Sequence, residues 1–132
     1  MNICVIDCSF FLSSLLPDEP KSDFVFTDYS IHVPSIFFLE CLNVLATSLR
    51  KKRITNSQYE EIIDCFRTLP FIVDNFSSTQ ESLYLVSTIS REKNLTSYDA
   101  SYLELALRLK APIGTLDYKM IEACKSEKIK IL

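Results

Sequence analysis

Apolar residues along the chain fall into short continuous runs alternating with longer segments of helical spacing. Asn2 to Ile6 is an apolar run of strand length, and a helix from about Ser9 to Leu16 follows it, stopped by Pro17. A second helix is expected around Lys21 to Asp28, and Tyr29 to Val33 reads as a strand ended by Pro34. From Ser35 to about Arg50 runs a long apolar helix, with Phe38, Leu42, Leu45 and Leu49 marking one face. Thr55-x-x-Gln58 or Ser57-x-x-Glu60 opens the next helix as a capping box, and Ile62, Ile63 and Phe66 form its apolar side. Phe71 to Val73 reads as a short strand. Ser78-x-x-Glu81 then caps a helix running to about Lys93, with Asn94 as a left-handed stop. The remainder predicts a helix over Tyr98 to Lys110, a strand at Ile113 to Leu116, a helix at Tyr118 to Ser126 and a last strand at Ile129 to Leu132.

Strands separated by helices predict an α/β fold, a parallel sheet with helices on both faces. No repeat, low-complexity tract or linker divides the sequence, so residues 1–132 are expected to form one domain. In such sheets, sites form at the carboxyl ends of the strands, near the switch in strand order.

Composition narrows the function classes. A hydrophobic content of 48% with 23% charged residues belongs to a globular chain rather than a disordered one. No run approaches the roughly 18 to 20 apolar residues of a membrane span. The apolar N-terminus lacks a basic leader and carries Asp7 within it, so we expect a strand and helix in a cytoplasmic protein, not a signal peptide. Five scattered cysteines (Cys4, Cys8, Cys41, Cys65 and Cys124) form no C-x-x-C pair and read as small buried hydrophobes in a reducing compartment. The one histidine, His32, sits in a strand pattern, which argues against triad chemistry. The one glycine, Gly114, argues against phosphate-cradling glycine loops. A net charge of −3 argues against nucleic-acid binding by bulk charge, though not against a local basic patch.

Four acids stand out. Asp7 ends the first strand and Asp117 follows a later one, and either also fits a helix N-cap. Asp99 also fits the third position of a Thr96-x-x-Asp99 capping box. Glu40 resists such an account, being the only charged residue between Tyr29 and Leu49 when His32 is neutral. An unpaired carboxylate on a buried helix costs several kcal/mol. Asn43, three residues on, shares its helical face as a supporting partner. In a doubly wound fold all four acids can face one crevice. Their mutual repulsion is relieved by a hard divalent cation such as Mg²⁺ or Mn²⁺, which suits phosphodiester hydrolysis.

These residues, in this order, resemble the PIN-domain ribonucleases, and more closely the VapC-like toxins of bacterial toxin–antitoxin pairs. The matching segments are Val5-Ile6-Asp7-Cys8-Ser9, Leu15-Leu16-Pro17-Asp18-Glu19, Val33-Pro34-Ser35 with Glu40-x-x-Asn43, Leu95-Thr96-Ser97-Tyr98-Asp99-Ala100 with Tyr102-Leu103-Glu104-Leu105-Ala106, and Thr115-Leu116-Asp117. The resemblance implies a three-layer PIN-like sandwich whose central parallel sheet has about four to five strands. It implies a catalytic and metal-binding quartet of Asp7, Glu40, Asp99 and Asp117, with Ser9 and Thr115 as polar helpers. It further implies Mg²⁺- or Mn²⁺-dependent endoribonuclease action on transfer RNA or other structured RNA, a cognate antitoxin, and a homodimer. Cys8 departs from the small residue common after the first acid, and Lys110 from the glycine that often ends that helix.

Two other readings compete. A phosphatase of the haloacid-dehalogenase kind wants Asp-x-Asp after the first strand, where this chain has Asp7-Cys8-Ser9. A catalytically silent PIN-fold binding or scaffold domain would keep the fold without specific Mn²⁺ uptake. The run Arg50-Lys51-Lys52-Arg53 fits either a track for RNA phosphate or a solvated helix end that complements the dipole. Phe10, Phe11, Phe24 and Phe26 fit either a docking surface for an antitoxin or second subunit, or core packing.

Overall fold

Cys4, Val5 and Ile6 are all fully buried, a run without alternation that demands cover on both faces of the strand. The computed structural model describes residues 1–132. Its strands β1 (Asn2–Ile6), β2 (Tyr29–Pro34), β3 (Ile72–Asp74) and β4 (Ile113–Gly114) form one parallel sheet in the order β3-β2-β1-β4. Asn2 pairs with Tyr29, Val5 with Ile113 and His32 with Ile72. Six helices complete the layers: α1 (Cys8–Ser13), α2 (Phe37–Arg50), α3 (Asn56–Thr68), α4 (Leu83–Lys93), α5 (Ser97–Leu109) and α6 (Tyr118–Ser126). β1 lies between β2 and β4, so the crevice at the carboxyl ends of β1 and β4 is the switch point of the sheet.

Most elements lie where the pattern puts them, and the differences have physical causes. The expected helix over Lys21 to Asp28 is absent, and only one 3₁₀ turn, Phe26–Asp28, forms there. The Ser22 hydroxyl accepts the Phe24 N–H at 2.9 Å, and Lys21 Nζ donates to the carbonyls of Ser14 and Leu16, local bonds that compete with a helix. Phe24 and Phe26 pack inward while Val25 between them is exposed, a period of two rather than 3.6. α1 ends at Ser13, earlier than Pro17 requires, with the Ser13 and Ser14 hydroxyls bonded to Phe10 and Phe11 carbonyls. The buried face of α2 is Phe37, Cys41, Leu45 and Ser48, which keeps Leu45 from the expected stripe and otherwise lies one position before it, with Phe38 and Leu49 partly buried and Leu42 exposed. Ser78 does not cap α4. Two 3₁₀ turns, Phe76–Ser78 and Gln80–Ser82, precede that helix. The last expected strand is reduced to a single bridge between Ile113 and Ile131.

The capping box at Thr55 forms both of its bonds, and Asn94 takes the left-handed conformation that ends α4. Phe11 anchors the aromatic core, meeting Phe26, Phe66 and Phe71 edge-on at 5.5, 4.9 and 5.3 Å, and each such pair adds about 0.5–1.5 kcal/mol beyond its burial. Phe10 and Phe24 meet in the same way at 5.2 Å. Core packing therefore accounts for all four phenylalanines. A second feature is polar: buried Glu104 and Asp74 of β3 share the Arg108 guanidinium, at 2.7 and 2.8 Å, tying α5 to the sheet. All five cysteines are free. No helix is long and apolar enough to cross a membrane.

Candidate active site

The four acids reach one place from four elements. Asp7 follows β1 and caps α1, Glu40 lies in the first turn of α2, Asp99 in the first turn of α5, and Asp117 caps α6. All four line a cavity of about 830 Å³, with Ser9, Asn43, Arg53, Tyr98 and Tyr102 among the other walls, a size typical of ligand sites. Gly114 permits this closeness at the sheet's edge. A Cβ there would lie 2.9 Å from the Phe10 ring, so only glycine lets α1 press against β4 while Asp7 N–H bonds the Gly114 carbonyl at 2.9 Å.

Asp7 is buried and held by three donors: the Phe10 N–H at 2.9 Å, the Ser9 hydroxyl at 2.7 Å and the Thr115 hydroxyl. Ser9 Oγ also accepts the Leu116 N–H, and Thr115 Oγ1 the Asp117 N–H, each at 3.1 Å. The two hydroxyls thus join the ends of β1 and β4 around one carboxylate. Thr115 does this from behind, buried and outside the cavity lining. Burial pushes the Asp7 carboxyl above its ordinary range, the three hydrogen bonds oppose that shift, and the Asp117 charge adds to it.

Glu40 is half-buried and faces the cavity rather than the core. Its partner is Tyr102, whose hydroxyl donates to Oε1 at 2.6 Å. Asn43 lines the wall one turn along α2 without bonding Glu40. Burial raises the Glu40 carboxyl, Tyr102 lowers it, and the charges of Asp99 and Asp7 raise it again. Asp99 is likewise raised by burial and then by Asp117 and Asp7, against a lowering hydrogen bond from Thr96. Burial and the Glu40 carboxylate push the Tyr102 phenol far up, so it stays a donor. Tyr102 is a site residue that the sequence placed only within a matching segment, and Arg53 is the one member of the basic run that lines the cavity. Tyr102 carries a legible signal: it stands three residues after Asp99 and so shares its helical face.

Two of the acids do what their capping account requires, since Asp7 accepts from Phe10 and Asp117 accepts the Met120 N–H at 3.2 Å. The capping account does not explain why Glu40 and Asp99 share their cavity. Burial holds the Cys4 and Cys124 thiols up to about 12, far from the thiolate that reactivity needs. No three His, Cys, Asp or Glu side chains form a ready ligand cluster. The donors are nonetheless all hard oxygens whose mutual repulsion a cation relieves. Mg²⁺ keeps several waters and binds through one or two carboxylates, so it requires no such cluster. The residues present fit a hydrated divalent ion.

No family model and no curated protein sequence matches the chain. Solved structures match it in shape. A crystal structure of PAE2754 from Pyrobaculum aerophilum aligns with a TM-score of 0.66 at 17% identity, covering 98% of this chain and 83% of that one. A crystal structure of FitAcB from Neisseria gonorrhoeae aligns with a TM-score of 0.64 at 9% identity, covering 98% and 96%. At these identities the likeness carries the fold, and the fold is the PIN-like α/β sandwich around a four-stranded parallel sheet.

Proposed function

We propose that the chain is a Mg²⁺- or Mn²⁺-dependent endoribonuclease, the toxin of a toxin–antitoxin pair, acting on transfer RNA or other structured RNA. The observation that carries this reading is the meeting of Asp7, Glu40, Asp99 and Asp117 in one cavity at the switch point of a PIN-like sheet. The ordered motifs that resemble the VapC-like toxins supply the substrate class, the antitoxin and the homodimer.

Asp7, Glu40, Asp99 and Asp117 would hold the ion. When bound, it neutralises charge on the scissile phosphate and makes water more acidic. The chain's own residues do the rest. Ser9, Thr115 and the Phe10 N–H fix the Asp7 carboxylate so that its orientation costs nothing at binding. The Tyr102 hydroxyl favours the ionised form of Glu40 and fixes its Oε1, against burial and the neighbouring acids. Burial first, and then the neighbouring acids, raise the metal-free carboxyls of Asp99 and Glu40, a cost that a bound cation would relieve.

One finding favours a second reading, a catalytically silent scaffold: Asp7 and Asp117 already serve as caps, and no ligand cluster is preassembled. Calorimetric titration with Mn²⁺ separates the two. The nuclease reading expects specific uptake by the parent protein and at least about tenfold weaker uptake by Asp99→Asn, which leaves both caps intact. Absence of specific uptake by the parent contradicts it.

A further inference from the structure

Helix α2 forms a wall of two adjoining cavities. The acidic one runs along Leu39, Glu40, Asn43 and Val44. A second, of about 560 Å³, opens at the start of the helix and shares Ile36, Leu39 and Tyr98 with the first. No charged residue lines this second groove, and seven of its 12 lining residues are serines. Ser101 and Ser82 donate to the carbonyls of Tyr98 and Thr79 at 2.6 and 2.8 Å, which leaves their oxygens free to accept. On the ridge between the cavities Tyr98 and Leu39 are 56% and 65% exposed. Hydroxyls beside an exposed aromatic ring suit the polar edge and flat face of an unpaired base. A phosphate finds no charge there.

Charge is found at the other end of α2. Lys52 takes a left-handed conformation and the Arg53 N–H bonds the Ser48 carbonyl at 2.9 Å, returning Arg53 toward the acidic cavity. It is the only basic residue in that lining. Asp18 takes its Nε and Nη2 at 2.9 and 3.1 Å, and Glu19 lies 3.7 Å away. Arg50 turns instead to Thr47, and Lys51 and Lys52 are exposed. A half-exposed pair like Arg53–Asp18 adds little stability. It does fix the plane of the guanidinium, and Nη1 makes no hydrogen bond. Leu39 and Arg50 are about 16 Å apart along the helix axis at 1.5 Å per residue, so the groove and Arg53 meet different parts of one strand.

We propose that an unpaired RNA strand lies along α2, with one base in the serine-lined groove, one backbone phosphate against Arg53 and the scissile bond over the acids between. This rests on the nuclease reading of those acids and adds how the RNA is held. The Asp7→Asn protein, which should not cut the probe, is titrated by fluorescence anisotropy with a short labelled RNA lacking self-complementarity, and with the same RNA paired to its complement. The unpaired RNA should bind, and the duplex roughly tenfold more weakly. Tyr98→Ala and Ser87→Leu, both at exposed positions of the groove, should each weaken the unpaired RNA by roughly tenfold, the loss of one stacked base. Tyr98→Phe should bind like its parent. Arg53→Gln should lower affinity and flatten the salt dependence by about one phosphate's share, and Arg53→Lys should restore affinity only in part. Failure of the unpaired RNA to bind, equal binding of the duplex, or unchanged affinity in both groove variants or in Arg53→Gln overturns the track. Cleavage of the same RNA by the protein with native Asp7 keeps the two ideas apart. No Mn²⁺-dependent cleavage overturns the nuclease reading, whereas cleavage with KM unmoved by the groove and Arg53 variants overturns the track alone.

Discussion

The hydroxyl of Tyr102 reaches Glu40 across 62 residues of sequence, and its donation opposes both burial and the neighbouring acids. Removing it leaves Glu40 raised with less to hold it ionised. Tyr102→Phe should therefore move the acid limb of the pH–activity profile to higher pH and cut activity by about 10- to 100-fold. An unmoved acid limb would show that Glu40 does not titrate in the reaction. Asp7 carries a related consequence for stability. Its folded carboxyl is raised, so between the unfolded value of about 3.9 and the folded value the native state holds more protons, and stability falls as pH rises through that window. In EDTA, Asp7→Asn should be at least as stable as its parent at pH 7, an advantage that shrinks toward about pH 4, by urea denaturation. At this scale the sequence disclosed the acids, since strand-end Asp residues and a Glu in an apolar helix stand out without a structure. It did not disclose Tyr102 as the partner of Glu40, or Arg53 as that of Asp18, because such contacts join distant segments.

Among the elements, those fixed by local signals match the sequence more closely than those fixed by tertiary contacts. The capping box of α3, the Asn94 stop and the run of α6 depend on bonds within a few residues and appear as expected. The segment before β2 failed as a helix because Phe24 and Phe26 are drawn into an aromatic cluster that helical spacing would not satisfy. β4 is shorter than its apolar run because Thr115 leaves the ladder to bond Asp7. Gly114→Ala should cost about 1–3 kcal/mol, since the new Cβ meets the Phe10 ring. Thermal unfolding at the parent's Tm would contradict this contact. Arg108→Met should cost about 3 kcal/mol by stranding buried Glu104. Arg108 also holds the Asp74 carboxyl below its ordinary range, aided by the Phe76 N–H. That contribution is present above the unfolded value of about 3.9 and is lost as pH falls through the lower folded one. The variant should therefore show a flatter fall in stability below about pH 4 than its parent in denaturant titrations.

Across the whole molecule, the alternation of strands and helices was enough to foresee a parallel sheet with its site at the carboxyl ends, because few topologies satisfy that pattern. The same geometry that gathers four carboxylates leaves the metal-free fold carrying their repulsion. A cation that binds the native state alone should return that stability, about 2.7 kcal/mol at a hundred times its Kd. If these acids hydrolyse RNA through a divalent ion, cleavage must need both the ion and Asp7. The measurement that tests this most directly is cleavage of structured RNA by the purified parent chain and by Asp7→Asn, with Mn²⁺ and with excess EDTA. Cleavage is expected from the parent in Mn²⁺ only, with none from a folded Asp7→Asn. Equal cleavage by that variant, or undiminished cleavage in EDTA, would contradict metal-dependent hydrolysis by these acids.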